Sequence, residues 1–80
     1  MDTGKVALGT TVVVVNEDTG REMTFTLVGA EEADVSAGLL STQSPLGSAL
    51  IGSHIGDRIA VDAPVGKQEY TILKAHSPTG

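Results

Sequence analysis

The sequence predicts an α+β domain in which a curved antiparallel sheet of four to five strands carries one short helix packed on one face. Segments of β-branched or alternating apolar residues recur along the chain. Turn-forming residues, mainly Gly, Asn, Asp and Pro, separate these segments. One stretch, 44–52, carries the start and stop signals of a helix. A sheet and a helix that each have one apolar side are expected to pack as two layers.

The length of the chain sets the domain organisation. Eighty residues allow one small domain, and a chain of this size buries roughly 60% of its unfolded surface. We expect a flexible lead-in over residues 1–5, a single domain over 6–76 and a tail over 77–80. No cysteine is present, which excludes disulfides, thiolate nucleophiles and cysteine metal ligands.

The strands follow from hydrophobic patterning. Residues 10–15 include four consecutive valines, which predict a central strand or one covered on both faces. After a polar loop, Met23, Phe25 and Leu27 share one face of a second strand over 21–28. Beyond a polar connection over 29–38, three further strands are predicted at 39–42, 58–63 and 68–75.

The helix signals lie close together in sequence. Ser44 is a favoured N-cap, and Pro45 follows at the first helical position, where its missing N–H is not needed. Gly52 stands where a helix commonly ends in the left-handed region.

The helix also carries one apolar stripe, formed by Leu46, Ala49 and Leu50. A helix of little more than two turns does not form alone in water. We therefore expect this stripe to press against the sheet near Phe25, Ile59 or Tyr70.

Charge and composition restrict the classes of partner that this chain is expected to bind. Ten acidic residues against five basic ones give a net charge of −5, and the basic residues form no run. With one Phe, one Tyr and no Trp, the chain offers neither a phosphate-binding patch nor a base-stacking platform. We expect no direct nucleic-acid binding and a protein partner with a basic or mixed surface. No segment is apolar enough for a membrane and no secretory signal is visible, which predicts a cytoplasmic protein.

Candidate reactive groups are few. His54 and His76 lack metal-ligand spacing, and the serines near His54 lack a nucleophile elbow. The acidic residues Glu31, Glu32 and Asp34 are typical of a solvated loop. We predict no catalytic residue, no metal site and no cofactor.

The order of several short motifs resembles the C-terminal domain of the Gre transcript-cleavage factors. These motifs are Ser-Pro-Leu-Gly-x-Ala-Leu-Ile-Gly at 44–52, Gly-Asp at 56–57, Pro-x-Gly at 64–66 and Tyr-x-Ile at 70–72. The resemblance extends over about residues 6–75 and implies an FKBP-like fold.

The resemblance also implies a function. Gre-type domains dock on RNA polymerase near its secondary channel, against a coiled coil of the largest subunit. The loop that leads into the short helix is the implied contact, and it comprises Gln43, Ser44, Pro45 and Leu46. Gln43 stands where the family usually has Asn or Asp, which alters any charge-dependent contact there. Ser44 and Leu46 have a competing structural role, as helix cap and core residue.

The family's catalytic acidic residues lie on an N-terminal coiled coil, and this sequence contains no heptad pattern. We therefore expect a non-enzymatic docking domain that lacks the coiled coil, either a fragment or a natural short relative. The alternatives are an FKBP-like peptidyl-prolyl isomerase or peptide-binding module, and a polymerase-binding protein similar to the nucleoside diphosphate kinase regulator. The isomerase alternative needs an aromatic pocket, whereas Phe25 and Tyr70 are both predicted for the core.

Overall fold

A computed structural model describes residues 5–63 and 66–76. Within them the chain forms five strands, β1 (Thr11–Asn16), β2 (Glu22–Val28), β3 (Leu39–Ser41), β4 (Arg58–Ala63) and β5 (Gly66–His76), and one α-helix, α1 (Pro45–Leu50). Two short 3₁₀ turns, Ala30–Glu32 and Val35–Ala37, lie between β2 and β3. The expectations for residues 1–4 and 77–80, and for Pro64 and Val65 of the last turn, fall outside the described residues.

The strands form one sheet in the order β3-β2-β1-β5-β4. The predicted fold class is confirmed, since a curled five-stranded sheet carries one short helix. One pairing differs from the antiparallel expectation: β2 and β3 run parallel, with Leu27 opposite Leu40. The connection 29–38 brings the chain back beside Thr26, within β2, so that β3 runs in the same direction as the last three residues of β2.

Strand β1 lies at the centre of the sheet, as its four valines predict. Val12 and Val14 are completely buried on the inner face, while Val13 and Val15 are half-buried on the outer face. The inner face continues into β2 and β5 through Leu27 and the fully buried Ile72. Apolar side chains on this face therefore build the core.

Helix α1 packs against β3 and β4, which are the two edge strands of the sheet. A helix can touch both edges because the sheet curls around it. Leu50 is completely buried, and Leu46 and Ala49 pack partly buried against the same core. The predicted apolar stripe is thus confirmed, and it fixes the position of the helix start.

Candidate functional site

The connection between β3 and α1, residues 41–47, is here called the β3–α1 corner. Ser41 organises it from the end of β3. Its hydroxyl oxygen accepts the Gln43 N–H (3.0 Å), and its carbonyl accepts the Ser44 N–H (3.1 Å). The same carbonyl accepts the Ser44 hydroxyl (2.7 Å). Three hydrogen bonds therefore hold the turn in one conformation.

The helix start is capped as the sequence predicts. The Ser44 Oγ accepts the Gly47 N–H at 3.0 Å, and Pro45 occupies the first helical position. The Ser44 hydroxyl therefore donates its one proton and accepts one hydrogen bond within the corner. At the other end Gly52 has a φ of +86°, confirming its predicted left-handed conformation.

Gly47 holds the corner close to the strand. It is buried inside the helix, and a Cβ built on it would lie 1.8 Å from the Ser41 carbonyl oxygen. Only glycine permits this approach, since a contact that short is sterically impossible. This role of Gly47 was not predicted from the sequence. The available signal was a glycine inside a short helix, where it costs about 1 kcal/mol relative to alanine and so needs a packing reason.

The four residues of the implied contact separate into two pairs. Gln43 and Pro45 are exposed, and they form the outer surface of the corner. Ser44 and Leu46 are half-buried, the first as the cap and the second packed against the core. The structure therefore leaves Gln43 and Pro45 accessible to a partner and assigns supporting roles to Ser44 and Leu46.

A shallow groove of about 600 Å³ lies along the outer side of α1. Its apolar walls include two side chains that are unusually exposed for their type, Leu8 at 64% and Ile51 at 38%. Ser48 lines the groove, and Pro45, Ser48 and Ile51 are spaced by three residues, which places them along one face of the helix. The groove therefore continues from the exposed surface of the corner.

This groove was not predicted from the sequence. One wall comes from the segment 5–8, which runs beside the end of α1: the Gly52 N–H donates to the Val6 carbonyl (2.8 Å) and the Val6 N–H donates to the Ser53 carbonyl (2.7 Å). Lys5, assigned from sequence to the lead-in, forms an isolated bridge with His54 in this pairing. Nothing local in the sequence of 5–8 indicates that it meets the helix.

The His and Ser side chains considered for catalysis are either exposed or already hydrogen-bonded to the backbone. His54 and His76 are exposed, and the His54 N–H donates to Asp57 Oδ2 (2.9 Å). The Ser48 and Ser53 hydroxyls each donate to a backbone carbonyl of α1. Across residues 5–63 and 66–76, no three His, Asp or Glu side chains cluster in a way that could hold a metal ion.

The acidic and aromatic residues lie where the sequence predicts. Glu31, Glu32 and Asp34 are all exposed in the connection 29–38. Tyr70 is buried in the core and Phe25 packs partly buried against it, and no aromatic side chain is among the described residues that line the groove. Over the described parts of the chain, none of the helices has the length and apolarity needed to cross a membrane.

Comparison with known proteins places the chain in a family. Residues 1–77 match the sequence model of the family "Transcription elongation factor, GreA/GreB, C-term", and the chain belongs to this family. The chain is 49% identical over 71 residues to the transcription elongation factor GreA of Alkalilimnicola ehrlichii, and 47% identical over 72 residues to GreA of Pseudomonas putida. These matches cover 89% and 90% of this chain but 45% of each relative. The chain thus spans about half the length of the curated relatives it matches.

Solved structures of the family share the fold. Thermus aquaticus Gfh1 superposes with a TM-score of 0.82 at 33% identity, covering 94% of this chain and 50% of that one. The GreA factor homolog 1 (Gfh1) of Thermus thermophilus gives a TM-score of 0.78 at 29% identity, covering 96% and 53%. The resemblance inferred from the short motifs is confirmed, and the FKBP-like fold that it implied is consistent with these structures.

Proposed function

We propose that this chain is the polymerase-docking domain of a Gre-type transcription elongation factor. The β3–α1 corner contacts RNA polymerase, at the coiled coil of the largest subunit near the secondary channel. The domain makes no direct contact with nucleic acid and needs no cofactor. Because its partner is the transcribing polymerase, its site of action is the cytoplasm.

The observation that carries this proposal is that one set of residues in the corner holds its backbone and a different set forms its exposed surface. Ser41, Ser44 and Gly47 fix the backbone from inside through hydrogen bonds and close approach. Gln43 and Pro45 are exposed on the outside of that fixed backbone. A surface that is already ordered loses little conformational entropy on binding, which favours affinity.

The groove is a second observation that favours a partner contact at the corner. Leu8 and Ile51 extend the apolar surface away from Pro45, and Lys5 is the one charged residue among the described residues that line the groove. Grouped exposed apolar side chains on a small domain are typical of a protein interaction site. An apolar side chain at the end of a coiled coil is a suitable occupant of such a shallow groove.

The proposed role is binding rather than catalysis. No reactive constellation was found among the described residues, and the groove holds no aromatic cage for a prolyl peptide. We therefore expect the chain alone to occupy the docking position without stimulating transcript cleavage. In that position it competes with a full-length Gre factor.

The test is a binding and competition assay with bacterial RNA polymerase. The variant Pro45→Glu places a carboxylate on the exposed tip, while an acidic side chain in the first helical turn favours the helix. We expect Pro45→Glu to weaken binding at least about tenfold, because burying an unpaired charge in an apolar contact is costly. The matched control Val35→Glu changes another exposed apolar residue, 68% accessible, in the connection 29–38 and should bind like the parent chain.

Two results would contradict the proposal. Equal affinity of the two variants, whether unchanged or reduced, with both folded by circular dichroism, would show that the corner is not the specific contact. Stimulation of RNA cleavage in stalled complexes by this chain alone would show that its role is not confined to docking.

A further inference from the structure

Strand β4 forms one outer edge of the sheet. It pairs along Arg58–Ala63 with β5, and in the described part of the chain its backbone hydrogen bonds go to β5 alone. The opposite edge, β3, has three residues, so β4 is the longer free edge. A free edge presents unpaired N–H and C=O groups that can pair with another strand.

The register indicates which groups face outward. The Ile72 N–H donates to the Asp57 carbonyl (3.0 Å) immediately before β4 begins. Hydrogen-bonded and non-bonded pairs alternate along an antiparallel ladder. Ile59 and Val61 are therefore the residues bonded to β5, whereas Arg58, Ala60 and Asp62 direct their N–H and C=O groups away from it. The side chains of the same three residues are exposed.

The sequence of this edge is complementary to itself. When two copies of β4 are placed antiparallel about a two-fold axis at Ala60, Arg58 of each copy stands opposite Asp62 of the other. Ile59 stands opposite Val61 on the inner face, so apolar residues meet apolar residues. Opposite charges and apolar pairs facing each other across strands both stabilise a sheet.

We propose that the outer edge of β4 is a self-association surface, through which two copies of this chain form a symmetric antiparallel dimer centred on Ala60. An isologous interface of this kind closes on itself, so association stops at two copies. Within each copy Arg58 also lies near Glu69, with 3.8 Å between Nη1 and Oε1. That pair is largely exposed and therefore weak, so it does not prevent Arg58 from facing Asp62 of the second copy.

Sedimentation equilibrium on the 80-residue chain provides the test. One strand pair is a small interface, so we expect a monomer–dimer equilibrium with a dissociation constant between about 10 µM and 1 mM. Arg58→Asp places like charges opposite each other at two symmetric positions and should weaken the dimer about tenfold or more. Asp62→Arg should do the same. The double variant Arg58→Asp/Asp62→Arg restores opposite charges across the axis and should restore the dimer.

The double variant separates pairing between copies from effects within one copy. Within one copy, Arg58→Asp introduces charge repulsion with Glu69, and Asp62→Arg introduces charge repulsion with Lys67, its cross-strand neighbour in β5. Both repulsions remain in the double variant. Restored dimerisation can therefore come only from the contact between copies. Arg21→Asp makes the same charge change at an exposed residue outside β4 and should leave the dimer unchanged.

Ala60→Pro supplies an independent variant. It removes an outward-facing N–H and no bond to β5, so the monomer should fold while the dimer is lost.

In mixed-labelled dimers, an inter-copy contact between the α-protons of Ile59 and Val61 should appear by NMR, because that pair is close and is not hydrogen-bonded. A chain that remains monomeric up to about 1 mM, or a double variant that dimerises no better than the single ones, overturns the proposal.

Discussion

The two connections that flank β3 differ in how they are held to the rest of the domain. The connection 29–38 contains two 3₁₀ turns that bury no residue, and the N-caps of both lack a side-chain hydrogen bond. The β3–α1 corner contains one capped helix start, a buried glycine and a hydrogen-bonded serine pair. Both connections present polar residues to solvent, but only the corner is anchored in the core.

This difference explains why the corner is the better candidate for partner binding. A surface loop gains binding affinity when its conformation is fixed before the partner arrives. In the corner, the residues that fix the backbone are distinct from those that are exposed, so the surface can vary without loss of the support. The connection 29–38 also has internal hydrogen bonds, those of its two 3₁₀ turns, the bridge between Asp34 and Leu39 and the bond from Ser36 to Asp34, but its 3₁₀ turns bury no side chain in the core.

The largest expected effect is on stability, and it distinguishes Gly47 in the corner from Gly29 in the connection 29–38. Gly47→Ala forces a Cβ into the Ser41 carbonyl and should lower the free energy of unfolding by at least about 3 kcal/mol, because helix and strand must separate. Gly29→Ala meets only the flexible end of Glu32 at 3.7 Å and has a φ of −68°, so it should be neutral or slightly stabilising. Urea unfolding of both variants makes the comparison. Equal stability of the two would contradict the proposed close approach.

A smaller effect is expected at the serine hydroxyls. Ser44→Ala removes the helix cap and the bond to the Ser41 carbonyl, and should cost about 1 kcal/mol of unfolding free energy. Ser36→Ala removes one exposed bond to Asp34 and should cost less than about 0.5 kcal/mol. Thermal unfolding distinguishes the two. A larger loss in Ser36→Ala would mean that the connection 29–38, rather than the corner, is the rigid element.

The smallest effect is expected from the acidic residues. Glu31→Gln/Glu32→Gln neutralises two exposed carboxylates and should change stability by less than about 0.5 kcal/mol. Polymerase affinity should also stay unchanged, since these residues lie outside the proposed contact. Titration by fluorescence anisotropy measures this directly. A clear fall in affinity would move the contact to the connection 29–38.

The elements that local sequence signals define were predictable. Ser44, Pro45 and Gly52 determine the helix ends through their own backbone preferences, and the four valines of β1 indicate its central place. Features that depend on the path of the chain were not. The parallel pairing of β2 with β3 results from how the connection 29–38 returns, which no local pattern encodes.

The candidate site was predictable only in part, for the same reason. The exposed pair Gln43 and Pro45 lies in the loop that the family resemblance implied. The need for Gly47 arises from the approach of helix to strand, and the groove arises where the segment 5–8 meets α1. Both are tertiary contacts between segments distant in sequence, so single-residue preferences carry little information about them.

Site-directed crosslinking tests the central claim most directly, because the chain contains no native cysteine. Gln43→Cys and Ser36→Cys place one thiol in each connection, both at exposed positions, for labelling with a photoreactive group. With RNA polymerase, the label at position 43 should crosslink to the coiled coil of the largest subunit, while the label at position 36 should give little product. Crosslinking from position 36 but not from position 43 would contradict docking through the β3–α1 corner.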